Sequence, residues 1–232
     1  MKLPLNISEI PEFYKRYKWN DRHSLWGYRS DEFPSFEWIS SLERRFSNLE
    51  AIPAQAPIYL IREMIHWGGS QNGVLEKFEL QLGTYNLAHA FERIREGLND
   101  PEKAISAALD IPGMGLSYAS KLLRFLRPET YGALDSQIRK FLLESRKELP
   151  FLNIIYDSNR NSMVNGYVKF IAMLKELKAS LEDAAVPRPS MTEERLTWRA
   201  SDIEMALFQR SLEWSEERKR TKTMKTPTIA HE

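Results

Sequence analysis

The sequence predicts an all-α protein, and three observations carry that expectation. Apolar residues recur at helical spacing along most of the chain. No alternating apolar–polar run of five or more residues reads as a strand. Several segments open on a capping residue or an early proline. With 232 residues, 42% of them apolar and 28% charged, the chain is long enough for one sizeable core or for two lobes sharing an interface.

The elements follow in chain order. The first forty residues are dense in aromatics: Phe13, Tyr14, Tyr17, Trp19, Trp26, Tyr28, Phe33, Phe36 and Trp38. Rings at this density build a core. Residues 37–46 read as a helix, and 51–57, with two prolines, as a connection. Pro57 suits the start of the next helix, whose buried stripe is Ile58, Leu60, Ile61, Met64 and Ile65. Gly68-Gly69 ends it, and Ser70-Gln71-Asn72-Gly73 leads into a helix over 74–82. A further helix spans 85–97. Asp100 then caps another, which opens on Pro101 and runs to Leu109.

The most informative stretch comes next. Ile111-Pro112-Gly113-Met114-Gly115 reads as a tight turn between two helices, and Gly113 and Gly115 let the chain reverse with positive φ and admit a close backbone neighbour. The second helix contains Ser117, Tyr118, Lys121, Leu122 and Leu123. Asp135 stands at the start of a third helix over 136–143. The unpaired N–H groups of a helix N-terminus make an anion site at such a turn. An Asn- and Ser-rich loop follows, then an amphipathic helix over 163–181 and a linker over 183–199 with Pro187 and Pro189. Ser201-Asp202-Ile203-Glu204 matches a capping box for a helix over 200–217 that packs back on the body formed by 1–182. Residues 218–232, with five basic side chains and one terminal carboxylate residue, read as a disordered tail.

Composition narrows the chemistry. With no cysteine there is no disulfide, no thiolate zinc site and no Cys-ligated iron–sulfur cluster. No run of eighteen apolar residues suggests a membrane span, and the first residues lack an apolar segment of signal-peptide type. The cytoplasm is the expected location, near the nucleoid in a bacterium. Net charge is only +1, but residues 113–147 hold seven basic against three acidic side chains. That local excess suggests a face for nucleic acid, or solvated helix faces.

The residues Leu109, Ile111-Pro112-Gly113, Gly115, Ala119, Leu122-Leu123, Pro128, Tyr131 and Leu134-Asp135, with Ile138 and Arg139 following, resemble the helix-hairpin-helix element of the HhH-GPD superfamily of DNA glycosylases. The resemblance covers about residues 57–143 and is sharpest over 105–143. It implies a two-lobed all-α fold with the helix-hairpin-helix at about 102–126. It also implies a monomer that excises a damaged or modified base flipped out of double-stranded DNA, leaving an abasic site. No cofactor follows from it beyond a monovalent cation at the hairpin.

The implied roles attach to particular residues. Gly113, Gly115, Ser117, Lys121 and Arg139 would hold DNA phosphate. Asp135 would sit beside the sugar, where a carboxylate stabilises the positive charge that develops as the glycosidic bond breaks. Taken alone, Asp135 is equally an ordinary N-cap. Relatives that also cleave the strand carry a nucleophilic lysine where this chain has Ser117, so the expected enzyme is monofunctional. Lys121, one turn on, is a substitute amine, a phosphate contact or a surface charge. Gln71 or Asn72 would fill the gap left by the flipped nucleotide, unless 70–73 is only a polar turn. His66, Trp67 and Tyr118 are candidates for the base pocket or for plain core packing, and one or two N-terminal rings could stack on the base. The target base stays open among a damaged purine, an alkylated base and a bulky modified pyrimidine of the kind found in phage DNA. The alternative is a noncatalytic helix-hairpin-helix DNA-binding protein. A helical protein–protein scaffold is a third reading.

Overall fold

The computed structural model describes residues 4–17, 36–48, 56–145, 152–189 and 196–224. They form ten α-helices: α1 (Ile10–Lys15), α2 (Phe36–Ser47), α3 (Ala56–Trp67), α4 (Val74–Gln81), α5 (Leu87–Gly97), α6 (Pro101–Leu109), α7 (Leu116–Leu126), α8 (Ser136–Glu144), α9 (Arg160–Asp183) and α10 (Ala200–Met224). Among the described residues there is no strand, only an isolated bridge between Arg188 and Leu196. No described helix is long and apolar enough to cross a membrane.

Capping explains where the helices begin. Asp100 accepts the amides of Glu102 and Lys103 at 3.0 and 3.3 Å, as expected for the start of α6. Asn86 accepts His89 N, so α5 begins at Leu87 and not at Tyr85. Asn159 accepts Ser162 N, which starts α9 three residues before the apolar pattern becomes visible. The expected capping box at 201–204 takes a different form. The N-cap is Arg199, whose amide donates to Asp202 Oδ2 at 3.0 Å, and Ser201 already lies inside α10.

The helix contacts fall into two sets. α7 packs on α2, α3 and α6, and α3 also meets α4 and α5. α10 packs on α1, α8 and α9, while α6 reaches across to α9. The C-terminal helix is therefore central to the molecule, because every residue from Ala200 to Phe208 is buried. Its first half sits on rings from the N-terminus: Tyr14 meets Trp198 edge-on at 5.4 Å, and Tyr17 meets Phe208 at 6.0 Å. Phe13, Tyr14, Tyr17 and Trp38 all belong to the core, each ring contributing roughly 2–3 kcal/mol of burial. Trp19, Trp26, Tyr28 and Phe33, and the Phe36 side chain, lie outside what is described.

Two boundaries differ from the sequence expectation. The segment read as a linker is packed at both of its described ends. Arg188 N donates to Leu196 O, and Trp198 is buried with its indole N–H on Val186 O at 2.9 Å. The segment read as a disordered tail continues α10 to Met224, and Arg218 pairs with Glu144 of α8. Residues 225–232 lie outside the described residues.

Candidate active site

α7 runs through the interior, and every one of its residues except Ser117 is buried. Ser117, Ser120, Lys121 and Arg124 form one polar stripe at i, i+3, i+4 and i+7, and all of it but Ser117 is enclosed. Its two basic residues are therefore buried too: Lys121 is 4% exposed and Arg124 is 0% exposed. The expectation that both belong to a basic outer face is overturned. Arg124 belongs to a chain of alternating charges. It pairs with Glu43 of α2 at 2.9 Å and stands 3.5 Å from Glu204 of α10. Glu43 also holds Arg199 at 2.8 Å; Arg199 holds Asp202, and Asp202 holds Arg188 at 2.7 Å. Three guanidinium groups offset three carboxylates. Burial favours a neutral Asp202, but the charges of Arg199 and Arg188 outweigh it and keep that carboxyl below its ordinary range.

The turn before α7 is built as the sequence suggests at one glycine only. Gly113 has φ +78°, and a Cβ there would stand 3.0–3.1 Å from Phe78 N and Val74 O of α4. Gly115 has φ −82° and ψ −179°, ordinary extended backbone, and a Cβ on it would meet nothing within 4 Å. Positive φ at both glycines is thus corrected to positive φ at Gly113. Gly115 is exposed and serves as the N-cap of α7 with no side chain over the end. Its carbonyl accepts the amides of Tyr118 and Ala119 at 3.1 and 3.0 Å.

The turn joining α3 to α4 lies beside this hairpin. Gly69, Ser70, Asn72 and Gly73 all have positive φ, two of them non-glycine residues held in a strained region. Tyr118 pins the turn, since its hydroxyl donates to Gly68 O at 3.2 Å and accepts Gln71 N–H at 3.0 Å. Gln71 and Asn72 are exposed at the tip, and Lys77 Nζ donates to Asn72 O. His66 is exposed, with Nδ1 3.4 Å from Ser70 Oγ. Trp67 faces inward: it is 4% exposed, stacked near Trp38 and edge-on to Phe125 at 5.0 Å. Of the pocket candidates, Trp67 belongs to the core and Tyr118 is a clamp.

Ser120 connects the hairpin to Asp135. Its buried hydroxyl donates to Ser117 O and accepts Leu134 N–H, both at 2.9 Å. The segment between α7 and α8 is held further by Tyr131, whose hydroxyl donates to Leu98 O at 2.7 Å, and by Tyr167, which donates to Gly132 O at 3.0 Å. Asp135 itself is 8% exposed, and its Oδ1 accepts Ile138 N–H at 2.9 Å, so it caps α8. Lys121 Nζ donates to Ser117 Oγ at 2.9 Å and lies 5.1 Å from the Tyr118 ring centre. Burial pushes the Lys121 amine below its ordinary range, opposed by the charges of Asp135 and Glu204. Burial lifts the Glu204 carboxyl to about 7, against the pull of Arg124. Ser117, Lys121, Asp135 and Glu204 are therefore one electrostatic neighbourhood fed by α7, α8 and α10.

Arg139, the remaining expected phosphate contact, and the other basic residues of 113–147 are differently disposed. Arg139 forms a two-pronged pair with Asp157 at 2.6 and 3.0 Å. Arg127 is spent on Leu98 O and Asn99, while Arg146 and Lys147 lie outside the described residues. The basic groups beside the hairpin come from elsewhere: Lys77 of α4 is packed against Gly113, and Arg93 and Arg160 both pair with Asp110 at 2.9 and 2.7 Å. A depression of about 230 Å³ opens along the outer side of α8, lined by Ser136, Arg139, Lys140 and residues 152–155 but not by Asp135.

Sequence reasoning missed Ser120, Glu204, Arg93 and Arg160 as parts of this neighbourhood. The first two sit on buried helices, where a polar side chain must find internal partners, but that burial is not visible in the local sequence. Comparison with family models, with curated proteins and with solved structures finds none that matches the chain.

Proposed function

We propose that the chain is a monofunctional DNA glycosylase, with a two-lobed helix-hairpin-helix fold acting as a monomer on a base flipped out of double-stranded DNA. The observation that carries this reading is the linkage of hairpin to carboxylate. An uncapped helix N-terminus at Gly115 is tied through Ser120 to the segment that ends in Asp135. The open end of α7 offers amide groups to a phosphate, with nothing at Gly115 to block approach. In this reading the two lobes would draw on α2–α7 and on α1 with α8–α10, joined where α6 packs on α9. Asp135 then supplies negative charge where the sugar becomes cationic. The strained 69–73 turn, held beside the hairpin by Tyr118, presents Gln71 and Asn72 as the residues that enter the vacated stack.

One observation favours a second reading: Asp135 caps α8 through Oδ1, a structural role that a noncatalytic hairpin module binding DNA would need as well. Base release separates the two. Duplexes carrying damaged and modified bases are incubated with the protein, and alkali reveals abasic sites. Asp135→Asn preserves the cap, because asparagine caps as well as aspartate, and removes the charge. A loss on the order of 10²-fold or more is expected with DNA binding intact. Binding without release from any duplex supports the noncatalytic module, and undiminished turnover in the variant removes Asp135 from the mechanism.

A further inference from the structure

Water that attacks the sugar must give up a proton, and Asp135, which caps α8 through Oδ1, is one acceptor. The pair next to it has the form of a proton acceptor. Ser117 is the one residue of α7 that reaches solvent, and Lys121, four residues on and on the same face, is buried behind it at 2.9 Å. The stem of Lys121 is packed, since a Cβ on Gly68 would stand 3.3 Å from both Cδ and Cε. The amine is faced by Ser117 and Tyr118 from its own helix, Asp135 from the start of α8 and Glu204 from α10. Arg124, also of α7, stands against Glu204 at 3.5 Å and draws part of its charge away from the amine.

We propose that Ser117 and Lys121 form a proton relay for the water that attacks the sugar, an inference that rests on the glycosylase reading. The relay requires the amine to be uncharged in the reacting state. The water oxygen bonds to C1′ while the C1′–N bond breaks and its electron pair leaves with the base. One water proton passes to Ser117 Oγ as the Ser117 proton passes to Lys121 Nζ. The ammonium afterwards returns its proton through Ser117 to the departing base or to solvent, which restores both groups, and nothing is oxidised or reduced. Burial lowers the proton affinity of the amine and so favours the uncharged form, while Asp135 and Glu204 set how far. An unburied lysine would be charged at neutral pH and could accept nothing.

The test uses the full chain labelled with ¹⁵N-lysine, following the Nζ resonances against pH. Lys121 is identified by the signal that disappears in Lys121→Met. Lys121 is expected to titrate below the other lysines and to shift in Ser117→Ala. Base release in Ser117→Ala is expected to fall on the order of 10²-fold, and the acid limb of the wild-type kcat profile should track the Lys121 titration. Lys121 titrating among the other lysines overturns the relay. Wild-type rates of base release in Ser117→Ala overturn it as well, while leaving the glycosylase reading intact. A wild-type chain that releases no base from any duplex overturns the glycosylase reading, and the relay with it.

Discussion

A methyl group on Gly68 would stand 2.7 Å from Cε1 of Tyr118, so the ring of one residue occupies the place where the other would carry its side chain. The same ring bonds through its hydroxyl to the Gly68 carbonyl and the Gln71 amide. One tyrosine thereby joins the turn after α3 to the first turn of α7. Under the proposed function it holds the residues that would enter DNA at a fixed distance from those that grip phosphate.

Tyr118→Phe keeps the ring and its packing but deletes both hydrogen bonds. The Gln71 end of the bridge is near solvent, where water can replace the lost partner, so the cost to stability should be about 1 kcal/mol. The turn carries positive φ at Ser70 and Asn72, and this strain persists only while its surroundings impose it. Base release should therefore fall further than stability does. Urea unfolding and single-turnover base release on the same preparation check this, and equal small effects on both would show that the clamp is only structural.

The two hairpin glycines should respond in opposite ways. Gly113→Ala places a Cβ on a residue at φ +78° and against the backbone of Phe78 and Val74, so it should destabilise the fold by about 1–3 kcal/mol. Gly115→Ala is sterically free in the protein and should leave the urea midpoint nearly unchanged. If a phosphate approaches that helix end, the added methyl weakens DNA binding without any loss of stability. Fluorescence anisotropy with a labelled duplex measures it, and unchanged affinity in Gly115→Ala would place the DNA elsewhere.

Helix order, the α6–α7 hairpin and the Asp135 cap were legible in the sequence because each is a local pattern: an N-cap, a proline at the first position, two glycines at fixed spacing. The charges were not. Seven basic residues in one window suggested an outer face, yet burial depends on what surrounds a helix, and α7 is covered on every side. Ser117, Ser120, Lys121 and Arg124 recur at helical spacing as one polar stripe, so the local pattern pointed outward and gave no signal that Lys121 and Arg124 lie inside. Nothing local could have paired Arg124 with Glu43 and Glu204, which are about eighty residues away on either side and meet it only when α2 and α10 close over α7. The capping box misled by its register: Asp202, at its second position, takes the Arg199 amide, and the box does not close between Ser201 and Glu204.

Glu204 predicts a pH dependence of stability. Its carboxyl titrates near 4.5 in the unfolded chain and is lifted by burial to about 7 in the fold. Between those values the native state holds a proton that the unfolded state has given up. Stability from this group is therefore complete below pH 4.5, declines as pH rises through the window and levels off above 7. The decline should be on the order of 3 kcal/mol at most. Glu204→Gln keeps the shape, cannot titrate, and should flatten that decline. Urea midpoints from pH 5 to 8 compare the two proteins, and parallel curves would remove Glu204 as the cause.

Strand cleavage is the last point at which the structure makes an expectation sharper. Under the proposed function, the strand-cutting glycosylases that the sequence resembles attack the sugar with an amine at the position of Ser117, and the substitute in this chain would be Lys121. In the fold Lys121 is 4% exposed, its stem lies against Gly68 and Tyr118, and its amine is bonded to Ser117 Oγ. An amine held this way would have to leave its pocket to reach C1′ and form a Schiff base. The product should be an intact strand with an abasic site, nicked only after alkali, and borohydride added during turnover should trap no protein–DNA adduct. An adduct that vanishes in Lys121→Gln would show that the lysine leaves its pocket to act as a nucleophile, and the enzyme would then be bifunctional.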